Sequence, residues 1–312
     1  MRGPPVPIIR TTVRVLVTGA SGCIGTALIE GLLLRGHEVT AVDIAPVPPA
    51  VSRPVEFVNA SYGAVDVPAG TGAVVHLACS SVPATSAASL EVDVAENVLP
   101  SVELFGSAAR AGVRRIVFAS SGGTVYGDLP AERAAWTEDD ATRPVTAHGA
   151  MKLTIETYLR TTTRGSDASP VVARIGNAYG RRGPARPGHG AVDHFVRAVL
   201  RGDAIEIWGD GSAVRDYVHV TDIAGALAAM VEAERPSPVF NVGSGSGTSL
   251  AALVPLVEAA CGAKANVRHR LARGVDLSRN VLDASRAQRE LGWAPRLGLA
   301  EGIARTVAEV RA

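Results

Sequence analysis

Along this chain, short and nearly continuous apolar runs alternate with stretches whose apolar positions return every three or four residues. "VRVLVTG" (13–19) is a run of the first kind and predicts a buried strand. "CIGTALIEGLLLRG" follows with helical spacing, and "HEVTAVD" (37–43) is a second buried run. Strand, helix and strand in that order, with strands apolar throughout, belong to a parallel sheet covered on both faces. The alternation continues. "VEFVNA", "GAVVHLA", "VRRIVFASS" and "PVVARIG" read as strands, and "SLEVDVAENVLPSVELFGSAARAG" and "HGAMKLTIETYLRT" read as helices. The predicted class is α/β: a doubly wound parallel sheet of Rossmann type with a smaller C-terminal substrate domain.

After residue 175 the pattern changes. "NAYGRRGPARPGHG" is rich in Gly, Pro and Arg and predicts a loop that leaves the sheet. "RDYVHVTDIAGALAAMVEA" and "VFNVGSG" then read as one more helix and one more strand of the main body, and the chain from 248 onward as mostly helical. The expected division is 11–175 plus about 214–245 for the domain of the parallel sheet, and about 176–213 plus 246–312 for the smaller domain. There is no repeat and no low-complexity tract.

Composition narrows the field. The 312 residues suffice for a large α/β domain with an appendage, and a net charge of +1 gives no reason to expect a nucleic-acid or membrane partner. Cys23, Cys79 and Cys261 are odd in number and far apart, which supports neither a disulfide framework nor a metal site. The first twelve residues lack the apolar core of a signal peptide, and no apolar run reaches the roughly 18 residues of a membrane span. The expectation is a cytoplasmic protein with a frayed first ten residues. Lys152 and Lys264 are its only lysines.

Chemistry enters at the first turn. Gly19, Gly22 and Gly25 stand between the first predicted strand and the first predicted helix. Glycines there keep the turn tight and let a pyrophosphate reach the backbone, while the helix start at Cys23 and Ile24 offers N–H groups and partial positive charge. Asp43 ends the second strand, placed to accept from adenosine ribose hydroxyls and to repel a 2'-phosphate, which favours NAD. No arginine follows at 44–46, although one from elsewhere, such as Arg53, could still admit NADP.

With "VTGASGCIG", "HLACSS", "SSGGTVYG", "RIGNAYG", "GDGSAVRDYVHVTDIA", "NVGSG" and "RGVDLSRNVLDASRAQRELGW" in that order, the chain resembles the extended short-chain dehydrogenase/reductases, in their nucleotide-sugar epimerase and dehydratase branch, from about residue 13 to 305. The resemblance implies an NAD(P)-dependent enzyme. It places the cofactor along the glycine block, Leu77, Ala78, Asn97, Lys152 and Gly176. It places a small-molecule substrate against Ser81, Asn177, Arg215 and Arg273, where guanidinium groups suit a nucleotide diphosphate. It also implies homodimers through the helix near 95–110 and the one carrying Lys152, although core packing accounts for "MKLTIETYL" equally well.

The pattern breaks at the proton-handling pair. The family expects Tyr-x-x-x-Lys on a helix; Lys152 is present, and His148 stands four residues before it on the same face. A supporting hydroxyl is expected three residues before "VYG", where Gly122 stands, leaving Ser121 and Thr124 as substitutes. Imidazole is a competent acid and base near neutral pH, but its tip lies about 2 Å closer to the backbone than a phenol oxygen. A displacement of about 1 Å already costs on the order of a hundredfold. The nearby ammonium also disfavours the imidazolium. Oxidising a sugar alcohol needs a base, whereas reducing a ketone needs only a proton, from His148, water or an acidic group of the substrate. Superfamily members without the tyrosine include ketoreductases that tailor aromatic polyketides, the angucyclinone type among them. The expectation is therefore an NAD(P)H-dependent ketoreductase acting on a bulky secondary metabolite in antibiotic biosynthesis. Its rivals are a nucleotide-sugar epimerase or dehydratase using His148 as base, and a silent cofactor-binding protein.

Overall fold

In the computed structural model, which describes residues 12–46, 55–81, 90–180, 190–272 and 277–311, the apolar runs become the strands of one central sheet. β1 (Arg14–Thr18), α1 (Cys23–Leu34), β2 (Glu38–Asp43), β3 (Glu56–Asn59) and β4 (Ala73–His76) form its first half. Next come α2 (Leu90–Asp93), a π-helical stretch at Val94–Val98 and α3 (Leu99–Arg110). β5 (Arg115–Ser121), the short α4 (Gly122–Val125), α5 (Ala147–Thr162) and β6 (Ser169–Ile175) follow. With β10 (Val239–Val242), the strand order is β10-β6-β5-β4-β1-β2-β3, every pairing parallel.

Because side chains alternate across a strand, β1 feeds both faces: Val15 and Val17 join the core under α1, and Leu16 joins the core under α3 and α5. All three are fully enclosed, which explains why no polar side chain interrupts Val15–Val17. The chain leaves β1 toward β2 and returns on the other side as β4. The crevice beyond the ends of β1 and β4 is thus the switch point where such sheets bind ligands.

The second body gathers β7 (Asn177–Tyr179), α6 (Ala191–Arg201), β8 (Ala204–Trp208), β9 (Val214–His219), β11 (Gly247–Ser249), α8 (Leu250–Cys261), β12 (Asn266–Arg270) and α10 (Leu299–Arg311). α6, α8 and α10 share a core with Tyr179 and Tyr217. The helix α7 (Val220–Glu232) packs on the main sheet beside α1. α9 (Ser285–Leu291), expected in the substrate domain, instead packs through Ala287 on the main-sheet core beside α7 and β10.

Three expectations change in detail. The stretch 215–233 reads as one helix, yet its first five residues belong to β9, which pairs with β7 and β11 in a separate three-stranded sheet. Its β-branched and aromatic residues explain the preference. The long helix expected at 89–112 contains a π stretch with Asn97 inside it. The mostly helical C-terminal part contains β12, which pairs with β8. The first ten residues lie outside the described residues. Among those described, no helix is long and apolar enough to cross a membrane.

Candidate functional site

At the glycine turn, close backbone approach dictates the residue type. Gly19 has φ +69°, and a Cβ there would lie 2.7 Å from the Ala78 nitrogen; a Cβ at Gly25 would lie 2.2 Å from the Gly19 carbonyl oxygen. Gly22 caps α1 without any side-chain hydrogen bond across the helix start at Cys23 and Ile24. The neighbouring loop is tied in by Leu77 N–H to the Thr18 carbonyl (3.2 Å) and Ala78 N–H to Thr18 Oγ1 (3.4 Å). These residues fit a dinucleotide's pyrophosphate. Asp43 sits at the edge of the same crevice, its Oδ2 accepting from Ser21 N–H (2.9 Å) and its Oδ1 from Ala45 N–H (3.0 Å). Asn97, almost fully enclosed, holds the loop by accepting from Ser80 N–H (2.8 Å) and donating to Ser80 Oγ (3.0 Å). Gly176 closes the far side, its N–H bound to the Val242 carbonyl (2.9 Å).

α5 starts at a Thr146 cap whose hydroxyl accepts from Gly149 N–H, and it brings His148 and Lys152 onto one buried face. Gly149 lets α5 press against α4, since a Cβ there would lie 2.5 Å from the Thr124 carbonyl oxygen. Lys152 Nζ donates to the Ala119 carbonyl (3.0 Å) and lies 5.0 Å from the centre of the Phe118 ring, leaving further donors of the ammonium to serve a ligand. His148 has its Nδ1 enclosed without a partner. Burial, and then the Lys152 charge, push its pKa down to about 3 against the opposing pull of Asp93. At neutral pH the ring is therefore uncharged and very weakly basic.

Ser121 and Thr124 flank the glycine pair, and the Thr124 hydroxyl turns back toward the Ser121 carbonyl (3.5 Å). Asn177 comes to the same turn: its Oδ1 would stand 3.5 Å from a Cβ on Gly123, and it is enclosed without a partner. Ser81 Oγ points to Met151 Sδ (3.8 Å). Arg215 lies on β9, its Nη1 donating to the Val214 carbonyl (2.9 Å). Arg273 and Arg53 lie outside the described residues. Among the described residues no group of three or more His, Cys, Asp or Glu is placed to hold a metal.

Residues 15–243 match the model of the NAD dependent epimerase/dehydratase family. The chain belongs to this family. It is 36% identical to the UDP-glucose 4-epimerase of Mycolicibacterium smegmatis, covering 94% of this chain and 97% of that one. It is 31% identical to the dTDP-4-dehydro-6-deoxyglucose reductase of Escherichia coli, covering 95% and 97%. Among solved structures, MoeE5 in complex with UDP-glucuronic acid and NAD superimposes with a TM-score of 0.87 at 32% identity, covering 96% of this chain and 99% of that one. The relatives are epimerases, dehydratases and reductases, so this is an oxidoreductase-type enzyme with the α/β Rossmann architecture its sequence predicts.

This member of the epimerase/dehydratase family also carries residues at the site that sequence reasoning missed. His76 is fully enclosed between Thr18 Oγ1 (2.7 Å) and Ser101 Oγ (2.9 Å), joining the glycine turn to α3. Glu156, one turn beyond Lys152, pairs with Arg174 in the core. Asn280 and Leu282 reach α4 from the C-terminal segment. The helical spacing of Glu156 from Lys152 was a usable signal; His76, Asn280 and Leu282 lie inside the blocks "HLACSS" and "RGVDLSRNVLDASRAQRELGW", but nothing within those blocks names their contacts.

Proposed function

We propose that the protein is an NAD(P)H-dependent ketoreductase of the extended short-chain type, reducing a ketone on a bulky secondary metabolite such as an angucyclinone polyketide. The observation that carries this reading is His148: enclosed, neutral and with its pKa pushed down to about 3. So weak a base cannot help remove a proton from an unactivated alcohol, as sugar oxidation requires. Ketone reduction makes a smaller demand, because the oxyanion needs only a proton, from water or from a phenol of the substrate itself.

In this reading the bound nicotinamide supplies the hydride. Lys152 holds its ribose and gives the site positive charge, Ser121 and Thr124 stand around the reacting oxygen, and the bulk of His148 shapes the wall. Asn177 Oδ1, enclosed without a partner, is suited to accept from a substrate hydroxyl. The enzyme works in the cytoplasm, consistent with three free cysteines. Exposed Val94 and Leu99 before and at the start of α3, with Tyr158 on α5, support pairing of two copies through these helices.

The names of the relatives favour a second reading, a nucleotide-sugar 4-epimerase or dehydratase with His148 as base and Arg215 on the diphosphate. A dehydratase must also expel a hydroxyl, and no carboxylate stands in the turn Ser121–Thr124. Incubating the protein with NADH or NADPH and an oxo-angucyclinone, alongside a panel of aromatic ketones, should oxidise the cofactor. No turnover across the panel, together with conversion of UDP- or dTDP-sugars that Arg215→Ala abolishes, would reverse the ranking.

A further inference from the structure

The turn that carries Gly122 is shaped from outside by the segment 277–283. Asn280 is fully enclosed, and its Nδ2 donates to the Gly122 carbonyl at 3.1 Å. Two residues on, Leu282 fills the space beside the Gly122 Cα. A Cβ added there would lie 2.6 Å from Leu282 Cδ1, 3.0 Å from Cδ2 and 2.9 Å from the Arg174 carbonyl oxygen. The first and last of these separations are shorter than real Cβ atoms tolerate, so a side chain at 122 requires a neighbour to move.

Leu282 has little room to withdraw. It is fully enclosed, packed in one cluster with Val125, Tyr126, Leu129 and Trp136. Its backbone N–H donates to Asp216 Oδ2 (3.1 Å). The residues on either side are clamped to Trp136, whose N–H donates to the Val281 carbonyl (2.9 Å) and whose carbonyl accepts from Asp283 N–H (2.8 Å).

We propose that Gly122 and Leu282 form a compensated pair, the leucine occupying the volume that a side chain at 122 would need, and that Leu282 and Asn280 are the positioning residues of the Ser121–Thr124 turn. The absence of a hydroxyl at 122 then belongs to the packing of the whole turn, with Ser121 and Thr124 held in place through Gly122. The functional sense of the pair rests on the reduction reading, in which no hydroxyl at 122 is required.

Thermal melting of Gly122→Ser, Leu282→Ala and the double variant tests the pair without any substrate. Each single variant should melt roughly 5 °C or more below wild type, and the double variant should lose clearly less than the sum of the two losses, since truncating Leu282 relieves its clash with a side chain at 122 while the contact with the Arg174 carbonyl stays. A double variant that sums the two losses, or a Gly122→Ser variant melting with the wild type, would overturn the pair. For Asn280, the variant Asn280→Leu keeps the size and removes the amide. On the ketone or nucleotide sugar that the wild type converts, its kcat should fall roughly tenfold with the KM for NADH unchanged. A lower melting point with kcat intact would make Asn280 merely structural and overturn its positioning role. Failure of the melting cycle leaves the reduction reading standing, whereas a cycle that holds while no ketone turns over removes that reading alone.

Discussion

His148 illustrates how surroundings rather than identity decide what a side chain does. In an unfolded chain its imidazole titrates near 6.5; in the fold, burial and Lys152 lower it to about 3. Between those values the unfolded state binds a proton that the native state refuses, so unfolding free energy rises with pH across the window. The contribution is fully present above about pH 6.5 and is lost as pH falls toward 3. Replacing His148 with Phe should therefore shrink the loss of unfolding free energy between pH 7 and pH 5 by about 2 kcal/mol, read from urea midpoints at the two pH values. His76, lowered to about 3 by burial and then Lys152, retains a slope of the same sign in the variant. A variant as pH-sensitive as the wild type would mean that the native imidazole already carries its proton at pH 5. The histidine and its register with Lys152 are legible in the sequence. Its neutrality depends on the enclosure of the helix face by neighbouring elements, which helical spacing alone does not establish.

At the scale of elements, the site stands on a polar cluster in the core. One turn beyond Lys152 on α5, Glu156 is fully enclosed and accepts from Ser120 Oγ on β5 (2.5 Å) and from Arg174 Nε (3.2 Å) and Nη2 (2.8 Å) on β6. Arg174 Nη1 donates to the Tyr126 hydroxyl (3.0 Å), which donates to Asn241 Oδ1 on β10 (2.7 Å). Five segments of chain are thus held in register around α4, with every charge paired. Glu156→Gln should destabilise the protein by roughly 3–5 kcal/mol, because it leaves the Arg174 charge buried without its counterion. Glu156→Gln combined with Arg174→Met should recover most of that loss; denaturant melts of the two variants decide it, and equal stability of both would show that the charge is not the cause. The sequence shows Glu156 on the same helical face as His148 and Lys152. Its partner is 18 residues away across a loop, and only the pairing of β5 with β6 reveals it. The Leu282 contact is less legible still, since 160 residues separate it from Gly122 and neither residue type announces a partner.

Across the whole molecule, the alternation of buried runs and amphipathic helices was sufficient to predict the parallel sheet, because burial on both faces leaves a signal that spans every strand. The strands β7, β9 and β11 are only 3, 6 and 3 residues long, too short for periodicity to mark all of them as a separate sheet. Cofactor choice depends on the larger topology. Asp43 ends β2 beside the crevice at the β1/β4 switch point, and backbone N–H groups from the first turn and from Ala45 hold its two oxygens. The Ser21 hydroxyl, donating to the Ala45 carbonyl (2.7 Å), ties those two loops together and fixes where the carboxylate's charge falls. A 2'-phosphate would have to approach this fixed charge, so NADH should bind more tightly than NADPH. In Asp43→Asn the repulsion disappears while the amide's oxygen can still accept one of the two N–H groups. Nucleotide fluorescence titrations should then show NADH weakened roughly tenfold, NADPH strengthened, and their affinity ratio shifted by about a hundredfold. An unchanged ratio would show that residues outside the β1 and β2 turns set the preference.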